Sequence, residues 1–287
     1  MLVNRTIRRL EEMLDAAMND DFEEKEYDET NLSRLETKWK RFLNASVLSK
    51  EALAQERETL KSLISDISHQ TKTPMTNIKL YTSLLDECLR GEDNREQKEK
   101  SIRLVEELVH QTEKLEFLIH ALTKMSRLEG NIVEVKPKQQ SVYPLLVAVR
   151  EENLLKAERK NIAIKLEGPE ESTACFDYKW TGEAVGNVLD NAIKYTEEGT
   201  LITMKVMVFE MYLAIMIKDQ GMGIREEDIP GIFNRFYRSK EVSEKEGVGI
   251  GLYLTREILR KENGYVKVRS VPGEGSEFAL YLPRGGK

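Results

Sequence analysis

Through the first half of the chain, apolar residues recur at the alternating three- and four-residue spacing of a helical seam. Leu60, Ile64, Ile67, Thr71, Pro74, Ile78, Tyr81, Leu85 and Cys88 follow one another in that rhythm, which is the heptad pattern of packed helices. Gly91-Glu92-Asp93-Asn94 is a strong turn signal. The rhythm then resumes through Val105, Leu108, Thr112, Leu115, Ile119 and Leu122. Two such helices joined by a short turn predict an antiparallel hairpin. One hairpin has too few neighbours to cover both seams, so a second copy completing a four-helix bundle is the economical solution. Packing onto the chain's own second half is the alternative.

The flanking segments complete a three-part reading. Arg8 to Met18 has a helical pattern, Asn19 to Glu29 is acidic and reads as irregular, and Asn31 to Asn44 resumes a helix that runs toward the first seam. Residues 1–50 are therefore expected to be a connector that passes on a signal, and residues 51–130 the hairpin. From Asn131 the texture changes. Glycines cluster, and β-branched runs (Ile162 to Leu166, Leu201 to Val208, Leu213 to Ile217, Tyr265 to Val268, Phe278 to Leu282) alternate with helical stretches. That alternation predicts an α/β sandwich over residues 131–287, with helices covering one sheet.

Composition narrows the chemistry. The 287 residues carry 44 Lys and Arg against 50 Asp and Glu, a net charge of −6, so no broad basic surface is available for a phosphodiester backbone and nucleic acid is not expected as a partner. Cys88 and Cys175 stand far apart and outside any CxxC spacing, which argues against a disulfide framework or a zinc site. No apolar run approaches the ~18 to 20 residues of a membrane span. A cytoplasmic chain without membrane contact of its own is expected. A fragment whose membrane part had been removed would read identically.

Taking Ile64 and Ile67 as core positions places His69 on the face farthest from the seam, with Thr73 one turn along on the same side. Pro74 follows inside the helix, where it removes the hydrogen bond to the Gln70 carbonyl and is expected to kink the helix. A proline there costs ~3 kcal/mol, so the distortion beside an exposed imidazole points to use. Such an imidazole is a nucleophile or metal ligand. His110 and His120, on the second helix, lack this setting and read as structural.

A second group of residues points to a nucleotide. Asn187, Asn191 and Tyr195 fall at i, i+4 and i+8, with Lys194 close to that stripe. Two amides, a cation and an aromatic ring thus share one helix face, and an amide carbonyl with phosphate oxygens is a plausible shell for Mg²⁺. Asp219-Gln220-Gly221-Met222-Gly223 follows a β-like run, where a carboxylate can accept from an adenine amino group while glycines let the backbone approach the ring. Gly247-Val248-Gly249-Ile250-Gly251-Leu252 opens a helical stretch to Lys261, and amides at such a start can cradle a polyphosphate. Neither the Rossmann spacing nor the Walker lysine is present.

Ser68-His69-Gln70-Thr71-Lys72-Thr73-Pro74 resembles the phosphoacceptor box of sensor histidine kinases. The three later segments resemble the N, G1 and G2 boxes of the ATP-binding fold shared by histidine kinases, type II topoisomerases, Hsp90 chaperones and mismatch-repair ATPases. Ile232 to Arg238 matches the kinase F box, and Gly273 to Phe278 the last glycine motif. All occur in family order over about residues 50–287.

The resemblance implies a homodimeric kinase core that uses ATP and Mg²⁺, phosphorylates itself on His69 and passes the phosphoryl group to an aspartate on the receiver domain of a response regulator. It assigns Asn191 to Mg²⁺, Asn187 and Lys194 to phosphates, Tyr195 to the nucleoside and Asp219 to adenine, with Gly221, Gly223, Gly247, Gly249, Gly251, Leu252 and Ser276 in the same site. Residues 225–246 would form the ATP lid. Arg238, with Arg235 as second choice, would stabilise the γ-phosphoryl group in transit. Phe233 and Phe236 would either pack the lid or dock it onto the bundle. Thr73 would orient water in a reverse, phosphatase activity.

Two departures from the pattern matter. Family members usually carry Glu or Asp after the histidine; here Gln70 can accept the Nδ1 proton and leave Nε2 to attack, but it cannot balance an imidazolium. Gln70 is the support for an alternative, a degenerate kinase acting as a nucleotide-regulated scaffold. The ATP-hydrolysing branch of the superfamily carries a glutamate four residues before the magnesium asparagine. That position is Asn187 here, and an amide is no general base. The comparison favours transfer over hydrolysis.

Overall fold

A computed structural model describes residues 31–90, 95–129, 135–242 and 247–285. The expected helix at Arg8 to Met18, the acidic segment Asn19 to Glu29 and the turn Gly91 to Asn94 lie outside the described residues. The chain divides into two compact units, Met1–Gln70 and Thr71–Lys287, with the division inside helix α1 (Asn31–Arg90).

The described part of the first unit is the leading portion of α1. Trp39 and Phe42 stack with ring centroids 5.8 Å apart, and Leu43 and Leu63 are buried. His69 is exposed, as the heptad reading anticipated, and Gln70 is half-buried. The helix continues without interruption through Pro74.

The second unit begins with the rest of α1 and helix α2 (Arg95–Glu129). Asn77 Nδ2 donates to Gln111 Oε1 at 3.4 Å, a meeting of residues 13 before the end of α1 and 16 after the start of α2, which is the hairpin pairing. The buried line on α2 differs from the expected seam. Leu108, Leu115 and Leu122 are half-buried as anticipated, but Leu104, Gln111, Leu118, Ala121, Met125 and Leu128 are the buried residues, while Val105 and Ile119 are 46% and 54% exposed. Two adjacent apolar lines run along α2. The one displaced by a residue faces this chain's own interior, which leaves Val105, Thr112 and Ile119 on its flank.

The remainder is an α/β sandwich. Strands β1 (Lys138–Ser141) and β3 (Thr173–Phe176) form a two-stranded antiparallel sheet. The main sheet has the order β2 (Ala163–Glu167), β4 (Leu201–Val208), β5 (Tyr212–Lys218), β7 (Gly275–Pro283), β6 (Tyr265–Val271). Its β2–β4 pair is parallel and the rest antiparallel. Alternation puts Ile202, Met204 and Val206 of β4 inward beside Leu213, Ile215 and Ile217 of β5, all buried. Helices α3 (Tyr143–Arg159), α4 (Tyr178–Tyr195) and α5 (Gly251–Lys261) supply the helical layer. Asp177 caps α4 by accepting from the N–H groups of Lys179 and Trp180.

One buried polar cluster ties α4 to α5. Glu262, fully buried just beyond α5, accepts from the Asp177 N–H at 2.9 Å and from the Thr181 hydroxyl at 2.8 and 3.0 Å. Burial, aided by the nearby Asp177 charge, outweighs these donors and raises its carboxyl pKa to about 7.

Candidate functional site

A cleft of about 830 Å³ opens between α4, the end of β5 and the loop leading into α5. It brings together Asn187, Asn191, Lys194, Tyr195, Asp219, Gly223, Arg238, Gly247, Gly249, Gly251, Leu252 and Ser276. The i, i+4, i+8 stripe read from the sequence is therefore one wall. The opposite face of α4, including Ala184, Val185, Val188 and Leu189, is buried in the core, so core packing fixes which way the stripe points.

Asp219 follows β5 and is 5% exposed. Its Oδ1 accepts from the N–H groups of Gly221 at 2.9 Å and Ser276 at 3.1 Å, which leaves Oδ2 with no hydrogen bond among the described residues. Burial pushes the carboxyl up from its ordinary range, and the two N–H groups partly offset that. Ser276 thus supports Asp219 through its backbone, while its hydroxyl lies 2.9 Å from that of Ser270. Gly223 adopts φ +71°, and a Cβ there would stand 2.1 Å from the Val271 carbonyl oxygen. Only glycine satisfies both constraints.

At the other side, Gly247 has φ +125° and a Cβ would meet Lys194 Nζ at 2.7 Å, so the lysine rests against the glycine loop. Lys194 Nζ also lies 5.0 Å from the centre of the Tyr195 ring. Burial raises the Tyr195 pKa, with the Arg238 cation opposing the rise and Asp190 adding to it. Arg238 donates to the Val242 carbonyl. The Asn187 Nδ2 group is buried and has no partner among the described residues. Buried donors are seldom left unpaired, and a phosphate oxygen in the cleft would complete this one. The site fits a nucleotide, and Asn191 offers an amide oxygen for Mg²⁺.

Other predicted residues lie elsewhere. Gly221 is adjacent to the cleft through Asp219 but does not line it. Arg235 stacks on Tyr253, with its guanidinium carbon 4.9 Å from the ring centre, and is outside the lining. Phe233 and Phe236 are half-buried and also outside it. Residues 243–246 of the expected lid lie outside the described residues. His69, Gln70 and Thr73 are not among the cleft's lining residues; Thr73, like His69, is exposed.

Two family models match the chain. The His Kinase A (phospho-acceptor) domain covers residues 59–131, and the Histidine kinase-, DNA gyrase B-, and HSP90-like ATPase covers residues 176–286. Among curated proteins, the sensor protein SrrB of Staphylococcus aureus is 26% identical over 227 residues, which are 78% of this chain and 38% of SrrB. The chain belongs to the sensor histidine kinases.

Solved histidine kinases share the fold. Acinetobacter baumannii AdeS aligns with a TM-score of 0.60 at 18% identity, over 76% of this chain and 98% of that one. The kinase ThkA, solved in complex with the response regulator protein TrrA, aligns with a TM-score of 0.64 at 18% identity, over 83% and 66%. The chain spans little more than a third of the length of SrrB. The helical hairpin followed by an α/β ATPase domain is the architecture of the histidine kinases. His69 lies within the phosphoacceptor match, and all the cleft residues predicted from sequence lie within the ATPase match.

The kinase cleft also contains residues that sequence reasoning missed. Lys156 pairs with Asp190. Lys160 Nζ bonds the carbonyls of Ile193 and Lys194 at 2.9 Å and of Thr196 at 3.3 Å, a cation closing the carbonyl end of α4. Neither lysine has a sequence signal, because only the packing of α3 on α4 brings them there. His110, read as structural, lines the cleft with Glu113, Lys114 and Phe117 of α2.

Proposed function

We propose that this chain is the phosphoryl-transfer core of a sensor histidine kinase, transferring the γ-phosphoryl group of ATP to His69 and then to an aspartate of a response regulator. The observation that carries the reading is the cleft itself. Two asparagines, Lys194, Arg238, a buried carboxylate with one unoccupied oxygen and a glycine loop converge in a domain of the ATP-binding family, downstream of an exposed histidine within the phosphoacceptor match.

Asp219 Oδ2 would accept from the adenine amino group, and Tyr195 would flank the nucleoside. The Asn187 amide, Lys194 and the loop from Gly247 would hold the phosphates, and Arg238 would meet the charge that develops on the moving phosphoryl group. Mg²⁺, held by Asn191, would neutralise phosphate charge. Gln70 would accept the Nδ1–H of His69, leaving Nε2 as the nucleophile: the new N–P bond forms as the bond from the γ-phosphorus to the bridging oxygen breaks, and ADP leaves. The absence of a carboxylate at Asn187 removes a base for competing water attack. Thr73, exposed one turn from His69, would orient water in the phosphatase direction.

The core would act as a homodimer. Ile102, Val105, Val109 and Ile119 are exposed in the single chain, a quantity of apolar helix surface that a second hairpin would cover.

The test is incubation of the full chain with γ-labelled ATP. Acid-labile label is expected on the wild type and none on His69→Gln, which should still bind ATP. Label persisting in that variant refutes the assignment. A wild type that binds ATP and stays unlabelled establishes the degenerate scaffold suggested by Gln70.

A further inference from the structure

Four residues of α2 stand on the wall of the cleft: His110, Glu113, Lys114 and Phe117. Their i, i+3, i+4, i+7 spacing makes them one helix face. α2 packs against α5, the helix that begins at Gly251 after the glycine loop. Further along α2, Lys124 Nζ meets Glu183 Oε1 at 2.7 Å. Glu183 lies on α4 one turn before Asn187, on the stripe that continues to Asn191 and Tyr195. Ten residues along α2 from Lys124 to Lys114 cover ~15 Å, the same distance that ten residues of α4 cover from Glu183 into the segment Asn191 to Lys194. The two helices are thus fastened at one point and both reach the cleft about the same distance from it.

The chemistry of the α2 wall is polar and held in place. Gln111 Nε2 lies 3.4 Å from His110 Nδ1 while its Oε1 accepts from Asn77, which steadies the ring against the hairpin. Glu113 is exposed. Lys114 is half-buried and has neither an ion pair nor a hydrogen bond among the described residues. An ammonium with no counter-ion among the described residues, beside a cleft whose loop and Lys194 suit phosphates, is complementary to an anionic ligand.

We propose that Lys114 of the helical hairpin is a polyphosphate-binding residue of the nucleotide site, so that nucleotide binding and docking of the ATPase domain on α2 are coupled. The proposal rests on the ATP reading above. A ligand that touches both walls stabilises the docked arrangement, and by reciprocity an intact dock raises nucleotide affinity. The Lys124–Glu183 pair contributes by holding the dock, without touching the ligand.

Calorimetric titration of the full chain with a non-hydrolysable ATP analogue, and separately with adenosine, tests this. Lys114→Glu is expected to weaken the analogue about five- to tenfold and leave adenosine unchanged. Lys98→Glu, on α2 but outside the cleft, should bind both as wild type. Glu183→Lys should weaken the analogue, and the double variant should bind no more weakly than the weaker single one. Unchanged analogue affinity in Lys114→Glu, an equal loss for adenosine, or additive losses in the double variant overturns the proposal. A wild type that does not bind the analogue, or an Asp219→Asn variant that binds both ligands as well as wild type does, refutes the nucleotide reading itself.

Discussion

Glu262 makes stability depend on pH in a direction opposite to that of most paired carboxylates. Its folded-state pKa is raised from 4.5 to about 7. Between those values the native state binds more protons than the unfolded state, so unfolding free energy falls as pH rises through that window. At 1.36 kcal/mol per pKa unit, the loss is about 3 kcal/mol once pH exceeds 7. Below the unfolded value both states are protonated and the loss vanishes.

The substitution Glu262→Gln isolates this effect. Glutamine keeps an oxygen to accept from the Asp177 N–H and the Thr181 hydroxyl but carries no charge at any pH. Urea unfolding of both proteins from pH 5 to pH 8 should show the variant gaining about 2 to 3 kcal/mol on the wild type across the range. The gain should grow monotonically and level off above pH 7. Parallel stability profiles would refute the reasoning, because they would mean that the carboxyl ionises in the native state as readily as in the unfolded chain. Since Glu262 joins the end of α5 to the start of α4, Glu262→Ala should destabilise at every pH by leaving the buried Thr181 hydroxyl and the part-buried Asp177 N–H without this acceptor, at about 1 to 3 kcal/mol for the buried donor.

Two further outcomes follow from local geometry. Gly223→Ala places a methyl 2.1 Å from the Val271 oxygen at φ +71°, and is expected to lower the melting temperature of the chain and abolish nucleotide binding; a variant that binds and melts as wild type would show that the backbone there yields easily. Ile119→Lys, at a position 54% exposed in one chain, should shift light-scattering mass from dimer toward monomer, since burying each isoleucine contributes about 1.5 to 3 kcal/mol and two are lost per dimer. An unchanged dimer mass would place the interface on another face of the hairpin.

What the sequence revealed depended on how local the cause was. Leu201 to Val208 forms a strand with the bounds read from its β-branched run, and in the fold its residues alternate between the core and the other face. The cleft wall on α4 was legible because a helix places residues four apart on one side whatever it packs against. Lys138 to Ser141 and Thr173 to Phe176 gave no such signal: four residues each, the first all polar, they are strands because they pair with one another. The α2 seam was displaced by one position because Leu104, Leu118 and Met125 compete with Val105, Ile119 and Leu122 for the interior. Spacing alone does not decide between two apolar lines that share an edge. Lys156, Lys160 and Lys114 reach the cleft through tertiary packing, which no local pattern encodes.

The same distinction bears on how a kinase of this construction would work. Apart from Lys114 on the hairpin, the groups assigned to adenine and phosphate belong to one folded domain, where Asp219 is held by two N–H groups and the stripe of α4 by a buried opposite face. Their geometry is set before any ligand arrives, so little ordering cost attaches to binding the base. His69 lies on a separate element and is exposed to water, as the proposed encounters first with a nucleotide and then with a second protein would require. Rigid placement suits the group that is always bound in one way. A solvent-facing helix suits the one that exchanges partners, and a coupling through α2 would let occupancy of the first bias the position of the second.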